Sequence, residues 1–320
     1  MLSGASALAE PIDADVLLQG GTIVDGTGKP GYPGDVAIKG NKIVGVGKLE
    51  LGKVALTVDC KGLVIAPGFI DLHNHSDRQV IDPQTSGLVN YLTQGCTTIV
   101  TGNCGAGPVD VEEYHRKLAE AGVGANIAHL LPQGSLRSSV MGTALRDPSN
   151  EELEEMKRLT KKAMQDGAWG MSTGLIYVPG TYAKTEELIE IAKVVSQNNG
   201  IYASHIRNEG TNLLAAVDEA LRIGKEAELP VHISHFKYSG RDAWGLVRRA
   251  VEQIETARAQ GQVATADQYP YIASSTSLDA TIIPTWALAG GRKALIERLD
   301  DPKQGARIRQ TMTENLKKRN

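Results

Sequence analysis

The sequence has few cysteines, few aromatic residues and almost no excess of either charge. Three cysteines in 320 residues exclude a disulfide-stapled scaffold. With 34 basic and 37 acidic residues the formal net charge is −3, so the chain lacks the basic excess of proteins that coat nucleic acids. Aromatic residues make up only 4%, which argues against a platform for stacking bases. We therefore expect no nucleic-acid partner.

Long apolar runs are absent as well. None approaches the ~20 residues that a transmembrane helix needs, so we expect no membrane partner. The N-terminus has neither a basic n-region nor an apolar h-region, which favours a cytoplasmic protein whose residues 1–14 form a tail. The alternative is an exported protein, in which Ala7-Leu8-Ala9 is the end of a truncated signal peptide. The oligomeric state is not predicted.

Residues 15–62 are typical of the N-terminal part of a small β-domain. Short apolar runs at 16–18 and 22–24 are separated by glycines. The segment 39–42 reads as a hairpin connection between two further strands. Strands of about 4–6 residues suit a small sheet, and we predict a β-sandwich.

Residues 63–320 alternate between strand and helix patterns, which predicts an α/β fold with a parallel sheet. A capping box at 149–152 opens one of the helices. A closed TIM-like (β/α) barrel needs eight strands, but residues 281–320 read as two helices. We therefore predict a barrel that lacks its eighth strand and is incomplete at the C-terminus. The seven candidate strands are 64–72, 97–103, 125–131, 169–174, 200–204, 230–235 and 263–268.

A His-x-His pair, His73 and His75, lies at the end of the first candidate strand. Residues i and i+2 of a strand face the same side, so both rings can point at one metal ion. Ligation by histidine is a frequent use of imidazole. We predict a metal site here rather than two unrelated histidines near a turn.

Two single histidines, His205 and His235, end later strands that are one βα unit apart. They are expected to be neighbours at the carboxyl end of the strands, where barrel active sites lie. The remaining histidines are not assigned to the site. They are His115 within a helix, His129 inside a strand, and His232, whose odd spacing from His235 places it on the opposite side.

Cys104 follows the second candidate strand. A thiolate at that position is a good zinc ligand, and zinc lowers the pKa of a thiol. The alternative is a small buried hydrophobic residue, the usual place of a free cysteine. That alternative fits Cys60, which precedes the barrel, and Cys96, which starts the second strand.

Several short segments together carry a family resemblance. They are residues 20–26 with 34–38, 66–75, 95–98 with 102–105, 170–175 with 177–180, 204–209, 234–237 and 269–271. The chain resembles the D-aminoacylase (N-acyl-D-amino-acid deacylase) family of the amidohydrolase superfamily over residues 15–277, the N-terminal two-thirds of a deacylase. His-x-His alone is typical of the superfamily, whereas the Asn-Cys-Gly, Ser-Thr-Gly-Leu and Ser-His-x-Lys segments together are specific to the family.

The resemblance implies a zinc ion held tightly by Cys104, His205 and His235. It implies that His73 and His75 border a second, weaker metal position. Relatives in the superfamily bridge two metals with a carboxylated lysine or a glutamate where this chain has Cys104.

The resemblance also implies a small-molecule substrate, an N-acyl amino acid. Its free carboxylate would be bound by Lys237 and Tyr269, with assistance from Ser275. A lysine in a polar pocket suits a carboxylate electrostatically. The alternative for Lys237 is an exposed surface lysine.

The general base of the family is an aspartate at the end of the eighth strand, expected beyond residue 320. Asp267 ends the seventh candidate strand and is not assigned to that role, so no catalytic residue is identified within the chain. The predicted function is zinc-dependent hydrolysis of a linear amide, from N-acyl-D-amino acid to D-amino acid and carboxylate. The alternatives are a cyclic-amide hydrolase, such as a dihydroorotase or hydantoinase, and a catalytically inactive metal-binding fragment.

Overall fold

The computed structural model describes residues 10–317 and divides into two units, one ending at Phe69 and one beginning at Ile70. Most of the predicted tail, with its Ala7-Leu8-Ala9 segment, lies outside the described residues. Among the described helices, none combines the length and the apolar character needed to cross a membrane.

The first unit is a mixed five-stranded sheet. Its strands are β1 (Ile12–Ile23), β2 (Tyr32–Lys39), β3 (Lys42–Gly47), β4 (Leu51–Asp59) and β5 (Val64–Ile65). Their order is β3-β2-β1-β4, and β5 also pairs with β1. The β-rich character and the hairpin between β2 and β3 agree with the sequence. The two short runs that the glycines were expected to separate form one strand. A shift in the β1–β2 pairing register between Leu18 and Gly21 accommodates the glycines within it.

The second unit is built on seven strands, the first of which begins at Phe69. They are β6 (Phe69–Asp71), β7 (Cys96–Thr101), β8 (Asn126–Pro132), β9 (Gly170–Gly174), β10 (Ile201–His205), β11 (Val231–Ile233) and β12 (Ala264–Ala266). They lie in sequence order across one sheet, and each adjacent pair from β7 to β12 is parallel. This confirms the predicted α/β, TIM-like architecture with seven strands.

Helices connect these strands. They are α1 (Val89–Leu92), α2 (Val111–Ala121), α3 (Gln133–Met141), α4 (Asn150–Gln165), α5 (Thr185–Ser196), α6 (Leu213–Ala227), α7 (Leu246–Ala259), α8 (Leu278–Ile282), α9 (Gly291–Asp300) and α10 (Pro302–Lys317). Ser149 caps α4 in the predicted capping box, with Glu152 completing it. The main core packs strands such as β9 and β10 against α4 to α7 through fully buried side chains, among them Met171, Leu188 and Tyr202.

Three predicted strands end or divide earlier than the apolar pattern indicated. Residues 64–72 form β5, which pairs with β1, and the separate β6. β11 and β12 have only three residues each. The side chains at the carboxyl ends of these strands are therefore carried by turns rather than by extended backbone.

An ion pair between Arg137 on α3 and Glu187 on α5 is buried in the second unit. Its side chains are 0% and 4% exposed, and Nε of Arg137 lies 3.0 Å from Oε1 of Glu187. The guanidinium also donates to the backbone carbonyls of Ala144 and Arg146. A buried charge requires partners for its hydrogen-bond donors, and these bonds supply them. They also connect the segment after α3 to α5.

Candidate metal centre

Cys104 is held at the carboxyl end of β7 by a tight turn. Its backbone is left-handed, with φ of 54°. The hydroxyl of Ser172 on β9 accepts from the N–H of Gly105 at 3.0 Å and donates to the carbonyl of Gly102. Gly174 allows a close approach, because a Cβ there would lie 2.1 Å from the carbonyl oxygen of Cys104. The thiol is thus fixed by β7 and β9 together.

Three imidazoles surround the Cys104 thiol. Its Sγ lies 3.6 Å from Nε2 of His73, 3.7 Å from Nδ1 of His205 and 3.8 Å from Nε2 of His235. Nδ1 of His205 and Nε2 of His235 are 2.8 Å apart. Zinc binds sulfur at about 2.3 Å and imidazole nitrogen at about 2.0–2.1 Å, so ligand atoms about 3–4 Å apart fit around one ion. The distances from the thiol lie in this range, and the two imidazole nitrogens at 2.8 Å would move slightly apart around the ion. The donor set and spacing therefore fit a metal ion.

Burial keeps the two most enclosed groups neutral before a metal binds. Burial first, and repulsion by His235 second, lower the pKa of His205 to about 3. Burial raises the pKa of the Cys104 thiol to about 12. A neutral imidazole is ready to ligate, whereas the thiol has to lose its proton on metal binding. Nε2 of His205 is buried without a hydrogen-bond partner among the described residues.

His73 and His75 both lie beyond β6, which ends at Asp71. The premise that they alternate along a strand is therefore wrong, although their rings are close, with centroids 5.4 Å apart. His73 reaches the Cys104 thiol and His75 does not belong to that cluster. His75 instead lines the adjacent cavity. Its role as a ligand of a second metal stays a prediction.

His235 also lies outside its predicted strand, in a left-handed turn with φ of 39°. The alternation argument that placed His232 on the opposite side is therefore wrong. Nε2 of His232 lies 2.7 Å from Oδ2 of Asp267, whose Oδ1 accepts from the backbone N–H of His235 at 2.6 Å. Burial opposes ionisation of Asp267, but the hydrogen bond with His232 and the nearby imidazole of His73 hold its pKa well below the usual range.

A cavity of about 560 Å³ opens beside the thiol. Lys237, Tyr269 and Ser275, the residues predicted to bind a substrate carboxylate, all line it. The Lys237 side chain is 18% exposed, so the alternative of an exposed surface lysine is wrong. Its ammonium lies 5.5 Å from the centre of the Tyr269 ring. The Tyr269 hydroxyl is buried without a hydrogen-bond partner among the described residues, so it has a free donor for a ligand.

Glu209 is a site residue that sequence reasoning did not single out. It follows β10 and its Oε1 lies 2.6 Å from Nζ of Lys237 and 2.9 Å from Nδ1 of His235. Burial alone would raise its pKa, but hydrogen bonds with these two residues lower the pKa of Glu209 to about 2. The only signal in the sequence is its place four residues after His205 in the matching segment.

Residues set aside as structural are located as follows. His129 is buried, and its two ring nitrogens lie 2.9 Å from the Thr101 hydroxyl and from the Pro108 carbonyl. His115 lies on α2. Cys60 is buried, whereas Cys96 is only half-buried, so the expectation of a buried residue holds for Cys60 and is wrong for Cys96.

Comparisons with known proteins identify relatives of this chain. The Amidohydrolase family matches residues 56–270. D-aminoacylase from Alcaligenes xylosoxydans xylosoxydans is 38% identical over 287 residues, which are 82% of this chain and 59% of that protein. The chain therefore spans about three-fifths of the length of this curated relative.

Two solved structures are similar in fold and sequence. N-acyl-D-glutamate deacylase from Bordetella bronchiseptica, solved with zinc and a phosphonate inhibitor, is 32% identical with a TM-score of 0.78, covering 81% of this chain and 59% of its own. A D-aminoacylase with a binuclear metal centre is 31% identical with a TM-score of 0.79, covering 93% of this chain and 70% of its own. The chain therefore belongs to the amidohydrolase family and, within that superfamily, to the D-aminoacylase family.

Proposed function

We propose that this chain carries the metal-binding part of an amidohydrolase that cleaves a carbon–nitrogen bond other than a peptide bond, converting an N-acyl-D-amino acid to a D-amino acid and a carboxylate. The observation that carries the proposal is the Cys104 thiol, with three imidazole nitrogens within 3.8 Å, beside a cavity lined by Lys237 and Tyr269. The relatives named above are D-aminoacylases and an N-acyl-D-glutamate deacylase, which favours a linear amide over the cyclic-amide alternative.

We propose zinc as the ion. Cys104, His205 and His235 supply one thiolate and two imidazoles, a soft set that suits zinc, and they would hold the tighter ion. His73 and His75 would border a second, weaker position. Zinc bound at this centre would polarise the acyl carbonyl of the substrate and lower the pKa of a bound water molecule.

The remaining residues of the site would bind and orient the substrate. The Lys237 ammonium has three donors, and Glu209 uses one of them at 2.6 Å. Nζ also lies 3.2 Å from the carbonyl oxygen of His235 and 3.1 Å from its Nδ1. The ammonium would therefore attract the substrate carboxylate mainly by its charge, while the free hydroxyl of Tyr269 and the hydroxyl of Ser275 donate to it. Glu209 would direct the Lys237 ammonium along one wall of the cavity.

The general base stays a prediction from the family resemblance, an aspartate beyond residue 320. Such a base takes a proton from the attacking water and returns it to the leaving amine. Asp267 does not suit this role, because its oxygens already face His232 and the N–H of His235.

The substrate class is tested by assaying the zinc-loaded chain with three sets of compounds. They are N-acetyl-D-amino acids, their L-enantiomers, and the rings dihydroorotate and hydantoin. We expect hydrolysis of the D-amino acid derivatives. Activity on the rings alone would contradict the proposal, and tight zinc binding with no hydrolysis of any compound would favour the inactive metal-binding alternative.

Replacing Lys237 by methionine is expected to weaken binding of an N-acetyl-D-amino acid roughly 10- to 100-fold, because a hydrogen bond to a charged group contributes about 1.5–3 kcal/mol. Calorimetric titration of the zinc-loaded protein measures this affinity. Lys184→Met, at an exposed lysine that pairs with Asp147, is the matched control. The corresponding N-acetylamine, which lacks the carboxylate, should bind both variants equally, and equal losses for both ligands would contradict the assigned role.

A further inference from the structure

Asp267 follows β12 directly, and its carboxylate faces two turns that carry predicted metal ligands. Oδ1 accepts a hydrogen bond of 2.6 Å from the backbone N–H of His235. Oδ2 lies 2.7 Å from Nε2 of His232 and 3.5 Å from Nδ1 of His73. One side chain thus spans between the turn after β6 and the turn after β11.

The turn at His235 depends on Asp267 through several bonds. A left-handed backbone is strained for a residue with a Cβ and persists only where its surroundings hold it. The backbone of Asp267 accepts from the N–H of Phe236 at 2.8 Å and donates to the carbonyl of Ile233 at 3.2 Å. Together with the bond from Oδ1, these contacts hold His235 on both sides, so that its Nε2 faces the Cys104 thiol.

The carboxylate of Asp267 also faces the ring of His73. Its Nε2 lies 3.6 Å from Sγ of Cys104, while its Nδ1 is buried and has no hydrogen-bond partner among the described residues. The nearest carboxylate oxygen, Oδ2 of Asp267, is about 0.5 Å beyond normal hydrogen-bond length. A proton on Nδ1 directed at this oxygen leaves the lone pair of Nε2 facing the thiol. Metal-ligating histidines commonly donate their second N–H to a carboxylate in this way.

We propose that Asp267 is a positioning residue, which fixes the Nδ1–H tautomer of His73 and the backbone turn at His235 so that both rings present Nε2 towards Cys104. His232 holds the carboxylate through its Nε2, and its own Nδ1 lies 2.8 Å from the Thr265 hydroxyl. The inference rests on the proposed metal centre and adds to it two residues outside the predicted ligand set.

The first test needs no metal. The chain has seven histidines, few enough for long-range ¹H–¹⁵N spectra of histidine-labelled, metal-free protein to assign each tautomer. We expect His73 to carry its proton on Nδ1 and His232 to carry its proton on Nε2. A proton on Nε2 of His73 in the wild-type chain would overturn the proposal, whether or not any variant folds.

The second test measures zinc affinity by competition with a chromophoric chelator. Asp267→Asn keeps the shape of the side chain but removes its charge. We expect the zinc affinity to fall about 10- to 100-fold, because Asp267 supports the turn that carries the ligand His235, and we expect the His73 tautomer to change. Asp110→Asn is the matched control, because this residue caps α2 through its side chain and asparagine caps equally well. Asp267→Asn with wild-type affinity and an unchanged His73 tautomer would overturn the inference. A wild-type chain that binds no zinc would contradict the proposed function, and the metal-free spectra would still decide the role of Asp267.

Discussion

Replacing Cys104 by serine is expected to lower the zinc affinity of the chain by at least about 100-fold, since residues that merely support a ligand already contribute 10- to 100-fold. Three imidazoles approach the thiol, at 3.6, 3.7 and 3.8 Å. A serine hydroxyl is a poor substitute, because zinc prefers thiolate and imidazole. Chelator competition, followed by metal analysis after dialysis, measures the loss.

Two controls make this result specific. Cys60→Ser changes a buried cysteine of the first unit and should leave zinc binding unchanged. His73→Ala should remove little of the tight zinc, because His205 and His235 complete that site with Cys104. Full zinc content in Cys104→Ser, or two zinc ions retained by the wild-type chain after dialysis, would show that the ligands are assigned wrongly.

Replacing Arg137 by methionine is expected to destabilise the second unit by about 3–5 kcal/mol, the usual cost of leaving one charge of a buried pair without its partner. Glu187 is 4% exposed, so water cannot replace the guanidinium. Its remaining hydrogen-bond donor among the described residues is the Gln133 amide, at 3.3 Å. Urea unfolding monitored by circular dichroism measures the change in the free energy of unfolding.

A double variant separates the unpaired charge from lost packing. Arg137→Met combined with Glu187→Met removes both charges, and apolar replacement of a whole buried pair is often neutral. We expect the double variant to recover most of the stability that the single variant loses. If the free energy of unfolding of Arg137→Met lay within about 1 kcal/mol of the wild-type value, the range of exposed ion pairs, the claim that this buried pair stabilises the second unit would be contradicted.

The alternation of strand and helix patterns was enough to predict the seven-stranded sheet and the carboxyl end at which the predicted ligands meet. Periodicity reports which residues face a core, and the parallel connection rules then place strand ends together. The same pattern overestimated β11 and β12, because the predicted strands continued through Ser234-His235 and Asp267-Gln268, which lie outside the strands of the structure. It also merged β5 with β6, since nothing local indicates that Val64 and Ile65 pair with β1.

The sequence predicted those residues of the candidate site whose type alone suggests metal binding. Cys104, His205 and His235 come together as expected, whereas His232 and Glu209 did not stand out. Alternation placed His232 away from the site, but the turn after β11 ends the alternation before His235. Glu209 lies in a loop, where a side chain's direction depends on tertiary contacts and has no sequence period. Supporting carboxylates are therefore visible only once the fold is known.

X-ray absorption at the zinc edge of the zinc-loaded chain tests the central claim most directly, because it reports the atoms bound to the ion. The account predicts one sulfur at about 2.3 Å and imidazole nitrogens at about 2.0–2.1 Å, with the sulfur shell lost in any zinc retained by Cys104→Ser. A wild-type spectrum that contains only nitrogen and oxygen neighbours would contradict the proposal that Cys104 binds the metal with His205 and His235.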